Sequence, residues 1–318
     1  MKILVTGASG FLGGRLCEEL ANQKLDYVPV YRKNQPKIQH SLFIHSLNAQ
    51  TDWSNNFTNV DYVIHCAARV HVMNELESDP LALFREVNVD GTLNLARQAA
   101  ANGVKRFIFI SSIKVNGNST LLNEPFRPED KAEPQDPYGI SKAEAEYGLR
   151  EIEKDTEMEV VIIRPTWVYG PGVKANFAAI MKLTSLGIPL PFGSITKNKR
   201  SMVYIDNLVD LIITCVFHPK AAGETFLVSD NDDLSTARMI KTLSFSLGKK
   251  GWMLPIPVKL FENLGRLSGK SEIIERLCGS LQVDISKTIQ LLNWQPPTSV
   301  KDAFIETTSQ FMFNNKNK

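Results

Sequence analysis

Tyr138 and Lys142 stand four residues apart in Q-D-P-Y-G-I-S-K-A-E-A-E-Y-G-L, residues 135–149. Pro137 followed by Ala, Glu and Lys reads as the first turns of a helix, and a spacing of four puts both side chains on one face. A phenol beside an ammonium can move a proton. It can also be an ordinary surface pair, and the rest of the chain must decide. A second constellation, L-V-T-G-A-S-G-F-L-G-G-R-L over residues 4–16, places Gly7, Gly10 and Gly13 directly after an apolar run and at the start of a helical pattern. Glycine serves there for a tight turn, for close backbone approach to a pyrophosphate and for close helix–strand packing. The helix start then presents free N–H groups and its positive dipole end to phosphates. Arg32 follows the run Tyr27-Val28-Pro29-Val30-Tyr31, where an NAD site carries Asp or Glu for the ribose 2′-hydroxyl. An arginine at that point can stack on adenine and pair with a 2′-phosphate. It points to NADP, with NAD as the alternative and a solvated loop arginine as the bland reading.

These groups need elements to position them. Strand patterns fall at 3–6, 27–31, 42–45, 62–66, 107–111 and 160–163, with helical patterns at 11–22, 81–102 and 138–154 between several of them. Strand, helix, strand in repetition predicts an α/β fold with a doubly wound parallel sheet. The runs Val-Ile-His-Cys-Ala-Ala and Phe-Ile-Phe-Ile-Ser-Ser are nearly continuous apolar, as strands buried on both faces should be. The second run ends in Ser111-Ser112, and side chains at the carboxyl ends of parallel strands point into the ligand crevice. After about residue 170 Pro and Gly punctuate short segments, followed by helical patterns at 206–217, 236–247 and 300–313. The expected division is a dinucleotide-binding domain over 1–170 and a smaller, mainly helical substrate lobe over 171–318, with some elements returning to the first.

The bulk numbers set limits. The chain has 318 residues, 43% hydrophobic and 22% charged, with 36 basic and 34 acidic side chains and a net charge of +2. So small an imbalance offers no argument for nucleic acid or a membrane surface. A strand pattern directly after Met1 and the lack of a long apolar run predict a cytoplasmic protein without a signal peptide or membrane span. Cys17, Cys66, Cys215 and Cys278 are scattered and read as reduced thiols. The five histidines show no metal-ligand spacing, so no metal is expected.

Taken in order, T-G-A-S-G-F-L-G, the Ser-Ser strand end and Y-G-I-S-K resemble the extended short-chain dehydrogenase/reductases, and within them the nucleotide-sugar epimerases and reductases. R-P-T-W-V-Y-G-P-G at 164–172, R-S-M-V-Y-I-D-N-L-V-D at 200–210 and D-I-S-K-T-I-Q-L-L-N-W-Q-P at 284–296 are similar to three further stretches of that family. The resemblance spans nearly the whole chain. It implies a catalytic set of Ser112, Tyr138 and Lys142. Tyr138 would be the general acid/base, its phenol drawn towards neutrality by the Lys142 ammonium. Lys142 would also hold the nicotinamide ribose, and Ser112 the reacting sugar oxygen. The implied cofactor-facing residues are Gly7, Ser9, Gly10, Phe11, Leu12, Gly13, Arg32, Leu47, Asn48, Ala67, Ala68, Asn88, Ser111, Tyr138, Lys142 and Pro165. For Asn88, helix packing stands level with a direct role. The implied substrate contacts are Ser112, Ile113, Lys114, Tyr138, Asn176, Arg200 and Arg276, although Arg276 lies closer to Asp284 than in typical epimerases. A homodimer through two long helices is also implied.

Three reactions are common on such a scaffold. A 4,6-dehydratase would carry Asp-Glu where this chain has Ile113-Lys114, which argues against water elimination. An epimerase retains NAD and usually shows the acidic ribose partner absent here. A 4-ketoreductase uses NADPH once, which suits Arg32. A-A-R-V-H-V-M-N-E at 67–75 together with S-S-I-K-V-N-G also looks like bacterial reductases that convert UDP-4-keto-6-deoxy-GlcNAc to UDP-N-acetylquinovosamine. The expectation is therefore an NADPH-dependent reductase of a UDP-4-keto-6-deoxy-hexose in polysaccharide biosynthesis, with a UDP-hexose 4-epimerase as the alternative. A non-catalytic NADP sensor is the remote third reading, disfavoured because Ser112, Tyr138 and Lys142 are all present.

Overall fold

β1 (Ile3–Thr6) is four consecutive buried residues, the pattern of a strand covered on both faces. It appears in a computed structural model that describes residues 1–32, 41–70, 79–267, 269 and 271–316. β2 (Tyr27–Tyr31) pairs with β1 in parallel, Thr6 opposite Val30, and β3 (Leu42–Phe43) extends that edge. β4 (Tyr62–His65) pairs on the other side of β1, followed outwards by β5 (Arg106–Ile110) and β6 (Glu159–Pro165). β7 (Trp167–Tyr169) leaves the sheet and pairs with β8 (Met202–Tyr204), and β9 (Thr225–Val228) returns to pair with β6. The main sheet thus runs β3-β2-β1-β4-β5-β6-β9, parallel throughout. The order reverses between β1 and β4, and such a reversal opens a ligand crevice at the carboxyl ends of the strands.

Alternate strand residues feed two cores. Ile3 and Val5 face α1 (Phe11–Asn22) and, from the later chain, α6 (Ile205–Phe217). Leu4, Phe107 and Phe109 face the opposite layer. Full burial of each phenylalanine stabilises by roughly 1.5–3 kcal/mol. That layer holds α2 (Pro80–Arg85), α3 (Thr92–Ala101) and α4 (Pro137–Asp155). The helical pattern predicted over 81–102 is not continuous: a π-helical turn, Glu86–Gly91, separates α2 from α3. α4 begins with Asp136 capping the Gly139 N–H at 2.8 Å and Pro137 in the first turn, both sound start signals.

The second lobe adds α5 (Ala175–Ser185), α7 (Thr236–Ser246), α8 (Val258–Leu267) and α9 (Ser271–Cys278). α10 (Ser286–Leu292) and α11 (Val300–Lys316) close the described chain. Tyr169, Phe177, Tyr204 and Phe304 form its aromatic centre. Asp230 ties it together, accepting from the Tyr169 hydroxyl at 2.7 Å, the Tyr204 N–H at 2.8 Å and the Asn207 amide at 2.8 Å. β9 and α6, although they come after residue 170, pair with and pack on the main sheet. Arg15 of α1 grips Asp206 of α6 through Nε at 2.5 Å and Nη2 at 3.0 Å.

Candidate active site

Gly7 turns with φ +72°, and a Cβ there would stand 2.7 Å from the Ala67 N and 2.9 Å from the Cys66 carbonyl carbon. Only glycine lets the end of β1 lie this close to the end of β4. A Cβ on Gly13 would stand 2.2 Å from the Gly7 oxygen, so α1 starts hard against the same turn. α1 has no side-chain cap and no acidic residue in its first turn. Its N–H groups and dipole end are therefore open to an anion, and the turn fits a dinucleotide phosphate on the geometry of this chain alone. Ser9, Gly10 and Phe11 are exposed there, Leu12 is half-buried, and Ala67 and Ala68 line the β4 side half-buried. Arg32 is exposed directly after β2. Lys33 and residues 71–75 of the stretch quoted above lie outside the described residues.

Behind the turn sits a buried polar chain. His65 bonds the Thr6 hydroxyl at 2.6 Å through Nδ1 and the Thr92 hydroxyl at 2.9 Å through Nε2. Burial, helped by the nearby Lys142 charge, pushes its pKa down to about 3, so the ring is neutral. Asn88, in the π turn, accepts from the Arg69 N–H at 2.8 Å and donates to the Arg69 carbonyl and the Ser141 hydroxyl, both at 3.0 Å. It links the loop after β4 to α4. Leu47 is 5% exposed and packs into the core, while the Asn48 side chain accepts from the Gln50 N–H and closes its own turn. The backbone of this loop is held against α3 by Asn94, which donates to the Asn48 and Thr51 carbonyls at 3.1 and 2.8 Å.

The chemical end is assembled from β5, the turn after it and α4. β5 ends at Ile110, and Ser111 and Ser112 follow it. Ser112 caps the short 3₁₀ turn 113–115, accepting from the Lys114 N–H at 3.2 Å, and its hydroxyl lies near enough to the Tyr138 phenol to work against the rise of its pKa. Ile113, expected to meet the substrate, is 5% exposed with its side chain in the core. Tyr138 is half-buried and meets the Phe84 ring edge-on at 6.1 Å. Lys142 is 1% exposed; its Nζ donates to the Ile110 carbonyl at 2.8 Å and lies 4.3 Å from the centre of the Phe109 ring.

The electrostatics differ from the expectation that Lys142 draws the phenol towards neutrality. Desolvation, then the Asp136 charge, pushes Tyr138 up to about 12 against the opposing bond from Ser112. The Lys142 ammonium stands 6.0 Å from the centre of the tyrosine ring and is committed to Ile110 and Phe109. Desolvation lowers Lys142 itself to about 8, with Glu146 and Cys66 working against the fall. At neutral pH the pair is a phenol beside an ammonium.

Lys114 pairs with Asp136, the cap of α4 two residues before Tyr138. Burial alone would raise the Asp136 carboxyl; the Lys114 bond and the Gly139 N–H outweigh it and hold it low. The charge of Arg276 is felt both at Asp136, whose carboxyl it helps to lower, and at Arg200, whose pKa it lowers. Arg200 is half-buried, its Nη1 3.3 Å from the Gly279 oxygen, and is held by backbone bonds to Leu234. Arg276 is exposed on α9. Asn176 falls in the first turn of α5, with its side chain outside what is described. Pro165 is buried at the end of β6. Among the described residues no cluster could hold a metal ion.

Residues 3–229 match the NAD dependent epimerase/dehydratase family. The chain belongs to that family. It is 54% identical over 313 residues, 98% of this chain and 95% of the other, to a UDP-glucose 4-epimerase of Vibrio cholerae. It is 31% identical over 308 residues, 90% of this chain and 88% of the other, to the N-acetyl-alpha-D-glucosaminyl-diphospho-ditrans,octacis-undecaprenol 4-epimerase of Escherichia coli O157:H7. Among solved structures, a UDP-glucose 4-epimerase of Thermotoga maritima shares the fold at a TM-score of 0.78 and 22% identity, over 99% of this chain and 100% of that one. The sheet order and its switch point are those expected of this family's fold.

Four residues of the site escaped the sequence reading. Ser111 donates to Glu146, and Glu146 forms a forked pair with Arg164, its Oε2 2.6 Å from Nη2 and its Oε1 3.0 Å from Nε. Arg164 continues to the Asn116 amide oxygen at 3.0 Å. Both charged partners are more than nine-tenths buried. In this family member the pair fixes the strand end that carries Ser112 to the helix that carries Tyr138. The signals were present: Glu146 is four residues beyond Lys142, on the same face, and Arg164 interrupts an apolar strand. His65, inside its apolar run, gave a similar sign.

Proposed function

We propose that the chain interconverts the two C4 configurations of a UDP-hexose, with a retained nicotinamide dinucleotide. The observation that carries this reading is the near full-length identity of 54% with a UDP-glucose 4-epimerase, on a chain that keeps the Ser112, Tyr138 and Lys142 arrangement. The bound dinucleotide supplies the hydride acceptor and donor. The chain's own residues do the rest. Tyr138 exchanges a proton with the C4 oxygen, and Ser112 donates a hydrogen bond to that oxygen as charge develops on it. Lys142 keeps a positive charge beneath the site and holds the nicotinamide ribose. Arg200 and Arg276 grip the diphosphate, for which a planar guanidinium is suited.

NADPH-dependent reduction of a UDP-4-keto-6-deoxy-hexose is the second reading. Arg32 favours it, since that exposed cation follows β2 where a retained NAD is commonly met by a carboxylate. The relatives support the epimerase more strongly than this reductase. Homodimerisation through α3 and α4 stays a proposal alongside either reaction.

The test is direct. Purified protein is given UDP-glucose without added cofactor, and UDP-galactose is measured. In parallel it is given NADPH and a UDP-4-keto-6-deoxy sugar, and NADPH absorbance is followed. The expected outcome is cofactor-independent conversion; NADPH consumption without any conversion would replace the epimerase by the reductase.

A further inference from the structure

The second lobe carries an apolar surface that the proposed chemistry leaves unused. Trp252 is 61% exposed, Leu254 50%, Leu260 48% and Leu267 87%. Backbone bonds gather this surface: the Leu190 N–H donates to the Trp252 oxygen at 2.9 Å, and the Leu254 N–H to the Leu190 oxygen at 2.8 Å. Phe192, from the same loop, stacks on Phe261 of α8 at 5.9 Å. Cations are interleaved with it. Lys249, Lys250, Lys259 and Arg266 are exposed, and the Lys250 Nζ stands 5.5 Å from the centre of the Trp252 ring. From 249 to 270 there are five Lys or Arg against Glu262 alone, a local excess of four that the whole-chain balance of +2 conceals. Glu272 and Glu275 come only with the next helix.

We propose that this face docks on an anionic lipid bilayer, with α8 lying along the headgroup plane. An amphipathic helix with apolar Leu and Phe on one face, cations around it and a tryptophan at its edge has the composition that partitions into an interface. A bilayer accepts the apolar side chains and the cations at the same time. A second copy of the chain would set the same cations against each other. α8 packs on α9, which bears Arg276, so docking would hold the diphosphate grip close to the membrane surface.

The full-length protein would be mixed with phosphatidylcholine vesicles and with vesicles that also contain phosphatidylglycerol, then sedimented while tryptophan emission is recorded. Trp53 and Trp294 are buried and Trp167 half-buried, so a blue shift on binding reports Trp252. Binding is expected only with the anionic lipid and should be released by high salt. Trp252→Ser and Leu267→Ser should each weaken partitioning by about tenfold, and Lys249→Glu with Lys250→Glu should abolish the preference for anionic lipid. All should leave activity on a soluble UDP-sugar unchanged, which also shows that they fold. No binding to either vesicle would overturn the proposal. So would a blue shift that follows protein concentration without lipid, because a second copy would then be the occupant.

Discussion

The two sides of the crevice are built in opposite ways. On the sheet side, each functional group rests on buried bonds: Lys142 on Ile110, Ser111 on Glu146 and Arg164, and the turn after β4 on Asn88. On the second-lobe side Arg200 is half-buried, and its burial together with the Arg276 charge lowers its pKa. The first side is satisfied as it stands. Geometry is fixed where a proton and a hydride must be aligned to a fraction of an ångström, whereas on the other side the proposed diphosphate would offset the cost of burying the Arg200 charge.

This contrast can be tested from its strongest arm downwards. Tyr138→Phe should lower kcat about a thousandfold, the middle of the range for a lost general acid/base, with an unchanged circular dichroism spectrum. Retained activity would mean that the proton moves elsewhere. Glu146→Ala should cost about 3–5 kcal/mol in urea unfolding, because Arg164 would be left buried without its partner. A loss below about 1 kcal/mol would show that the sheet side is less rigidly supported than its bonds imply.

Lys142 gives a pH signature of the same side. Its folded value of about 8 lies below its ordinary 10.5. Below pH 8 both folded and unfolded chains are charged there, and the burial penalty stands in full. Between pH 8 and 10.5 the unfolded chain binds the extra proton, so stability should rise with pH by roughly 3 kcal/mol. Tyr138 acts in the opposite direction above about pH 10, since its folded value is the higher. Burial raises the Cys17, Cys66 and Cys215 thiols above their ordinary 9, so they remove stability over the same range. The Lys142 contribution is therefore read between pH 8 and 10 as the difference in urea midpoint between the native chain and Lys142→Met, which should climb with pH.

On the second-lobe side, Arg200→Met should raise KM for the UDP-sugar about 10- to 100-fold, the worth of a charge-assisted bond. It should leave kcat and unfolding nearly unchanged; a large loss of stability would place Arg200 with the fixed groups instead. The smallest effect is expected where α1 meets α6 on one face of the sheet. Arg15→Met should cost at most about 1 kcal/mol, since its pair with Asp206 is partly solvated.

The sheet was legible because continuous apolar runs and a glycine turn are local signals. β9, β7 and β8 were missed, because short strands in Pro- and Gly-rich sequence are decided by distant partners. The site was legible as a set of residues, and the support was not: Glu146 and Arg164 are 18 apart and meet only when β6 lies beside α4. The direction of the Tyr138 shift was also hidden, because spacing shows that a lysine is near but not which oxygen it bonds.

The π turn at 86–91 has a consequence for how this stretch tolerates change. An extra residue in the winding offsets everything after it by roughly 100° around the helix axis. Phe84 belongs to one angular frame, and Leu95 and Ala99 to another. Substitutions there can be judged singly. A one-residue deletion within the turn would instead rotate Thr92 away from His65 and Asn88 away from Ser141 together. The length of this segment is thus held as tightly as its composition.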